Sequence, residues 1–261
     1  SGILVENEIK KVLLKAKNEG VDTIDTASNY GKSEAILGNL NINNFKVITK
    51  LPAIPEDCLN IRKWVDGVVE NSLESLNVRK IHGILFHNPN QLLTNYGAEL
   101  YTALDKYKQK NIISKIGISI YSPSQLDLLL PKFSIDIVQT PFNLIDRRIL
   151  NSGWLEKLSN KNIEIHVRSV FLQGLLLMPH SNIPNKFSNW DSVWMKWNNW
   201  LSDNKVSAVH ACLSFVESFK EVDKIIVGVD SLNHFEQIIQ AMRKLPIKNV
   251  INIESQDELL I

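Results

Sequence analysis

Asp22-Thr-Ile-Asp-Thr-Ala-Ser-Asn-Tyr-Gly31, with Lys32-Ser-Glu34 behind it, joins a strand-like run to a turn and a helix start within thirteen residues. It opens on apolar and β-branched side chains (Val21, Thr23, Ile24, Thr26) that favour a short strand. Ser28-Asn29 then break the strand, and the chain restarts as a helix for which Ser33 is the expected N-cap. Asp25 falls at the carboxyl end of the strand and Tyr30 on the loop above it, where α/β folds place their chemistry. The same two residues also read as a turn-capping carboxylate and a half-buried tyrosine. The rest of the chain has to decide.

On both sides of this stretch, short β-branched runs alternate with helical periodicity along the whole sequence. Strands are expected over 21–26, 46–50, 83–86, 115–119, 135–140, 163–168 and 224–228. Helices are expected over 6–18, 33–40, 61–76, 98–109, 124–130, 148–159, 191–201, 207–219 and 232–245. Strict alternation of buried strands with amphipathic helices is the signature of a parallel sheet covered by helices. Short connections and polar residues at the strand ends favour a (β/α)8 TIM barrel over an open doubly wound sheet. No Gly-x-Gly-x-x-Gly follows any strand, so a Rossmann site has no support. Seven strands are counted and a helix comes first. An eight-stranded barrel would therefore lack its first strand, which is expected to precede Ser1, and its sheet edges would fall at 21–26 and 224–228.

Composition bounds the function. Twenty-nine basic residues against 28 acidic ones leave a formal charge of +1, without a like-charged run. Neither nucleic acid nor a membrane is therefore expected as a partner. Cys58 and Cys212 lie far apart and match no metal spacing, as in a reduced cytoplasmic protein. No apolar run reaches spanning length, and residues 1–11 lack the character of a secretion signal. With 44% hydrophobic residues, the 261 residues suit a single domain. Trp190, Trp194, Trp197 and Leu201 form a helical stripe, read as a helix docked by its apolar face rather than as a sugar-stacking platform.

The strand ends line up Asp25, Lys50, His87, Ser119, Gln139, Asn143, Arg168, Ser169 and Gly228. Singly, each could satisfy a turn or face solvent; together, a barrel would project them at one mouth. Longer motifs run through the chain in order: Gly20-Val-Asp-Thr-Ile-Asp-Thr-Ala-Ser-Asn-Tyr-Gly-Lys-Ser-Glu34, Val47-Ile-Thr-Lys50 and Ile84-Leu-Phe-His-Asn-Pro89. They continue with Ile116-Gly-Ile-Ser119, Val138-Gln-Thr-Pro-Phe-Asn143, Arg168-Ser-Val-Phe-Leu-Gln-Gly-Leu175 and Ile226-Val-Gly228. In these motifs the sequence resembles the aldo-keto reductase superfamily, and most of all its bacterial members.

That resemblance implies an NAD(P)H-dependent oxidoreductase that interconverts a small-molecule carbonyl compound and its alcohol, with NADP expected and NAD a competitor. It implies a catalytic tetrad of Asp25, Tyr30, Lys50 and His87. An unperturbed phenol, with pKa about 10, is a poor acid near neutrality. A neighbouring ammonium favours the phenolate, and a carboxylate keeps that ammonium charged and in place. Tyr30 would be the acid, Lys50 its tuner, Asp25 the holder of Lys50, and His87 a donor to the substrate oxygen. Ser119 and Gln139 would hold the nicotinamide carboxamide. Arg168 would stand at the nicotinamide, Ser169, Phe171 and Gln173 would line the pyrophosphate path, and Gly228, Asp230, Ser231 and His234 would meet the adenosine phosphates. Ser231 is the expected N-cap of a helix whose N-terminus suits phosphate. A metal is not implied. The alternative is a cofactor-binding regulatory subunit with little turnover.

Three departures from the family pattern bear on the cofactor. Ile120 stands where Asn is frequent, Arg168 where an aromatic ring often stacks on nicotinamide, and Gly228 with His234 where a basic pair often grips the 2′-phosphate. Asp230 adds a negative charge nearby. They bear on the choice between NADP and NAD and leave the tetrad intact.

Overall fold

The structure, a computed structural model, describes residues 6–255, 257, 259 and 260. Residues 1–5, which open the stretch read above for a secretion signal, lie outside the described residues. Strands and helices alternate as α1 (Glu6–Asn18), β1 (Thr23–Asp25), α2 (Ser33–Asn39), β2 (Lys46–Leu51), α3 (Ile61–Ser75) and β3 (Ile81–Phe86). There follow α4 (Gly97–Gln109), β4 (Ile113–Ser119), α5 (Ser124–Leu129) and β5 (Ile137–Pro141). After α6 (Arg148–Asn151) and α7 (Trp154–Asn160) come β6 (Glu164–Arg168), α8 (Asp191–Asn204), α9 (Ala208–Glu217), β7 (Lys224–Ile225) and α10 (Leu232–Met242). Among the described residues the seven strands follow one another in the sheet in chain order. This is the connectivity of a (β/α) barrel.

Two compact units divide the chain, residues 6–139 with 160–164, and residues 140–159 with the chain from 165 onward. In the first unit β1 to β5 pair in parallel. The register sets Asp25 opposite Ile48, Lys50 opposite Leu85, Leu85 opposite Gly117, and Ser119 opposite Gln139. Side chains alternate along each strand. Asp25, Lys50, His87, Ser119 and Gln139 therefore share one face of the sheet at its carboxyl ends. One layer deeper on that face, Ile48, Leu85 and Ile137 pack as a fully buried cluster. Gly117 makes room for it: a Cβ there would stand 2.4 Å from Leu85 Cδ2 and 2.6 Å from Ile137 O. Apolar packing beneath a polar rim thus builds the floor of the site.

Helix boundaries follow local chemistry at several ends. Asn60 caps α3 by accepting from Lys63 N at 2.9 Å, and Ser207 caps α9 by accepting from His210 N. Ser33 is not the cap of α2. Lys32 holds that position without a side-chain bond, while Ser33 opens the helix and pairs its hydroxyl with Thr26 Oγ1 at 3.0 Å. The helix expected over 148–159 is two, broken at Gly153, whose φ of +73° a side chain would strain.

In the second unit β6 pairs with β7 in parallel, His166 opposite Lys224. The last strand is shorter than the expected 224–228, although Ile226 N still donates to Val167 O at 2.8 Å. The tryptophan stripe is docked as expected. Trp194 and Trp197 are buried, and their indole N–H groups donate to Phe187 O and Leu176 O.

Candidate active site

β2 delivers Lys50 into the interior, where it is 2% exposed. A buried ammonium requires a counter-charge and full hydrogen bonding. Lys50 Nζ donates to Asp25 Oδ1 at 2.5 Å and to Thr26 O at 2.9 Å. The second carboxylate oxygen of Asp25 accepts from Gln139 Nε2 at 2.8 Å. Gln139 is thus a ligand of Asp25, a role the sequence reading did not assign. Ser28 contributes as well, its hydroxyl donating to Lys50 O at 3.1 Å.

Tyr30 sits on the turn after β1, its N–H donating to Ala27 O, and Gly31 with φ +59° lets the chain leave that turn. Its ring is half exposed, with Lys50 Nζ 5.3 Å from the centroid. The His87 ring stands edge-on to it, centroids 5.9 Å apart at 76°. Register groups Asp25, Lys50 and His87 at neighbouring strand ends, and the turn after β1 brings Tyr30 over them. Ammonium and imidazole thus both stand against the phenol ring, and the carboxylate holds the ammonium.

Ser119 and Gln139, 2% and 1% exposed, face each other across β4 and β5 with Ser119 Oγ 3.5 Å from Gln139 Oε1. So long a contact leaves both groups hydrogen-bonding capacity. One donor beside one acceptor suits a carboxamide, so these residues fit the nicotinamide end of the implied cofactor.

In the second unit Arg168 ends β6, and its guanidinium donates to Ser169 Oγ at 3.4 Å. Ser169 (φ +57°), Gln173 (φ +52°) and Gly174 (φ +94°) are all left-handed, with Phe171 between them capping a 3₁₀ turn. The loop is held by Asn143, 1% exposed, which donates to Ser169 O at 2.9 Å and accepts from Ile145 N and Asp146 N. Ser231 caps α10 as expected, accepting from His234 N at 3.1 Å. Gly228, Asp230 and His234 are exposed beside that cap. Amide groups at the start of an eleven-residue helix fit a phosphate. Among the described residues no cluster of His, Cys, Asp or Glu is arranged for a metal, and no helix is long and apolar enough to cross a membrane.

Parallel strands that follow one another in chain order and alternate with helices define a protein of the (β/α) barrel class. The sequence model of the aldo/keto reductase family matches residues 3–258, and the chain belongs to that family of oxidoreductases acting on carbonyl compounds and alcohols. It is 23% identical over 276 residues to an L-glyceraldehyde 3-phosphate reductase of Escherichia coli O157:H7, covering 90% of this chain and 79% of that protein. Among solved structures it resembles the holo form of an aldo-keto reductase from Bacillus halodurans, with a TM-score of 0.77 at 17% identity, over 94% of this chain and 85% of the other. An aldo-keto reductase structure from Pseudomonas aeruginosa matches with a TM-score of 0.69 at 22% identity, over 93% and 84%. The two structures share the barrel fold with this chain.

Proposed function

We propose that this protein reduces an aldehyde or ketone with NADPH, NADH being a competitor, and that Tyr30 delivers the proton to the carbonyl oxygen. The observation that carries the reading is Lys50, buried between Asp25 and the Thr26 carbonyl while its ammonium faces the Tyr30 ring. An ammonium held there stabilises phenolate relative to phenol, which makes the hydroxyl a better acid. Asp25 fixes the ammonium, and Gln139 fixes Asp25. His87, edge-on to Tyr30, donates into the negative charge that develops on the substrate oxygen. When bound, the nicotinamide supplies the hydride. Ser119 and Gln139 would hold its carboxamide. Ser169, Phe171 and Gln173 would line the pyrophosphate path, and the α10 N-terminus with Ser231 and His234 would take the adenosine phosphates. The reverse oxidation uses the same groups, with Tyr30 as base.

Cofactor consumption, followed optically with a panel of small aldehydes and ketones, tests the reading. Turnover with any of them supports it. Tight cofactor binding without turnover would instead identify a regulatory subunit.

A further inference from the structure

Another set of polar contacts surrounds the 3₁₀ helix Pro89–Leu93, which follows His87. The ladder between β2 and β3 ends with His87 N donating to Leu51 O at 3.0 Å. Past that bond, Pro52 has no N–H to offer, and Asn88-Pro89 turns away into the 3₁₀ helix. Three residues beyond Leu51 the pairing resumes through a side chain. Gln91 Oε1 accepts from Ile54 N at 2.9 Å, and Gln91 Nε2 donates to Ile54 O at 3.2 Å. A primary amide has the donor and acceptor of a peptide, so this contact extends the ladder with one side chain replacing a backbone.

Ile54 is 7% exposed. Without Gln91 its N–H and C=O would lose these partners in a largely dry setting. On the other flank Asn90 Oδ1 accepts from Gln125 Nε2 at 2.7 Å. Gln125 Oε1 in turn accepts from Tyr121 N at 2.8 Å and Ser122 N at 3.1 Å. The segment after His87 is therefore tied to the loop behind Lys50 and to the loop behind Ser119, all within the first unit.

We propose that Gln91 is a positioning residue for His87: by pairing with the Ile54 peptide it fixes the segment that aims the imidazole at the substrate oxygen. The inference rests on the reductase reading above. His87 is pinned on one side by its ladder bond to Leu51, and Gln91 pins the chain four residues later, with the constrained ring of Pro89 between. Losing the second pin frees the imidazole relative to Lys50 and Tyr30 while leaving all three side chains present.

Gln91→Leu keeps bulk and removes both bonds. Its kcat for carbonyl reduction should fall by about 10- to 100-fold, the scale set by small misplacements of a reacting group. The cofactor dissociation constant should not change. Gln91→Glu separates pairing from general support of the fold. Ionised, the introduced carboxylate accepts from Ile54 N but sets an oxygen against Ile54 O. Protonated, it offers one donor and one acceptor and restores the pair. Its kcat relative to wild type, on protein shown to be folded at each pH, should rise as pH falls from about 8 towards the carboxyl range. The His87 imidazole NMR signals, assigned by their loss in His87→Gln, should move in Gln91→Leu. Wild-type kcat in Gln91→Leu overturns the inference, as does a Gln91→Glu ratio that stays low and flat with pH. If the wild-type protein reduces no carbonyl, the reductase reading falls separately, and the His87 signals then decide whether Gln91 sets the imidazole; unmoved signals overturn it.

Discussion

Lys50 Nζ lies 2.5 Å from Asp25 Oδ1, and each partner of that pair is held by a further group. The Thr26 carbonyl accepts from the ammonium at 2.9 Å, and Gln139 donates to the other carboxylate oxygen at 2.8 Å. Buried charges persist when geometry and hydrogen bonding offset their desolvation, and breaking such a pair on one side is costly. Lys50→Met should therefore destabilise the fold by about 3–5 kcal/mol. Adding Asp25→Asn removes the stranded charge and should recover part of that loss. Denaturant unfolding of the single and double variants measures both. A double variant less stable than Lys50→Met alone contradicts this account of the pair.

Tyr30→Phe removes one hydroxyl from a half-exposed ring. Carbonyl reduction should fall by about 10²–10⁴-fold, the usual contribution of a general acid. Cofactor affinity and unfolding midpoint should stay near wild type, because the ring remains. Kinetics with parallel cofactor titration check this. An equal loss of binding and turnover would reassign Tyr30 to the cofactor.

His82 supplies a pH dependence of stability. Burial holds its imidazole below the usual histidine range and the Lys115 ammonium pushes the same way; Glu164 opposes, Lys46 adds a little, and Asp22 opposes. The unfolded chain takes up this proton near pH 6.5, the folded chain only at lower pH. The stability His82 contributes is thus complete above about pH 6.5 and is lost as pH falls towards the folded value. His82→Gln should flatten the stability curve over that acidic interval. Thermal melts of both proteins at a series of pH values test it; parallel curves would assign the acid sensitivity elsewhere.

His234 stands exposed in the first turn of α10, next to the Ser231 cap and near Asp230. Arginine binds phosphate bidentately and at every pH, whereas imidazole is cationic only when protonated. If this helix start receives the 2′-phosphate, His234→Arg should tighten NADPH by about 10-fold, the scale of one charged hydrogen bond. NADH affinity should not change. Fluorescence titration with both cofactors decides the matter, and equal tightening of the two would place His234 against a part they share.

Much of the fold was legible because its strands are short apolar runs between amphipathic helices. β2 is buried at every position after Lys46 and β5 throughout, and both read as β-branched segments. The ends were less legible. Ser33 looked like a cap, but its hydroxyl goes to Thr26. Gly153 divides a helix whose periodicity runs on either side of it. β7 keeps only two residues where the pattern suggested five.

The order of strands and helices and the polar residues that end each strand are written in the chain alone, since period and composition are local properties. The sequence also placed Asp25, Tyr30, Lys50 and His87 where neighbouring strands could gather them. The further partners that hold those groups come from segments brought together by folding. Gln139 reaches Asp25 across 114 positions because the β4–β5 register puts it beside Ser119 on the face that Asp25 shares. Gln91 closes on Ile54 because β2 and β3 stop pairing after His87 and leave a buried peptide to be satisfied. Register and burial arise between segments, and a pattern read along one segment does not contain them.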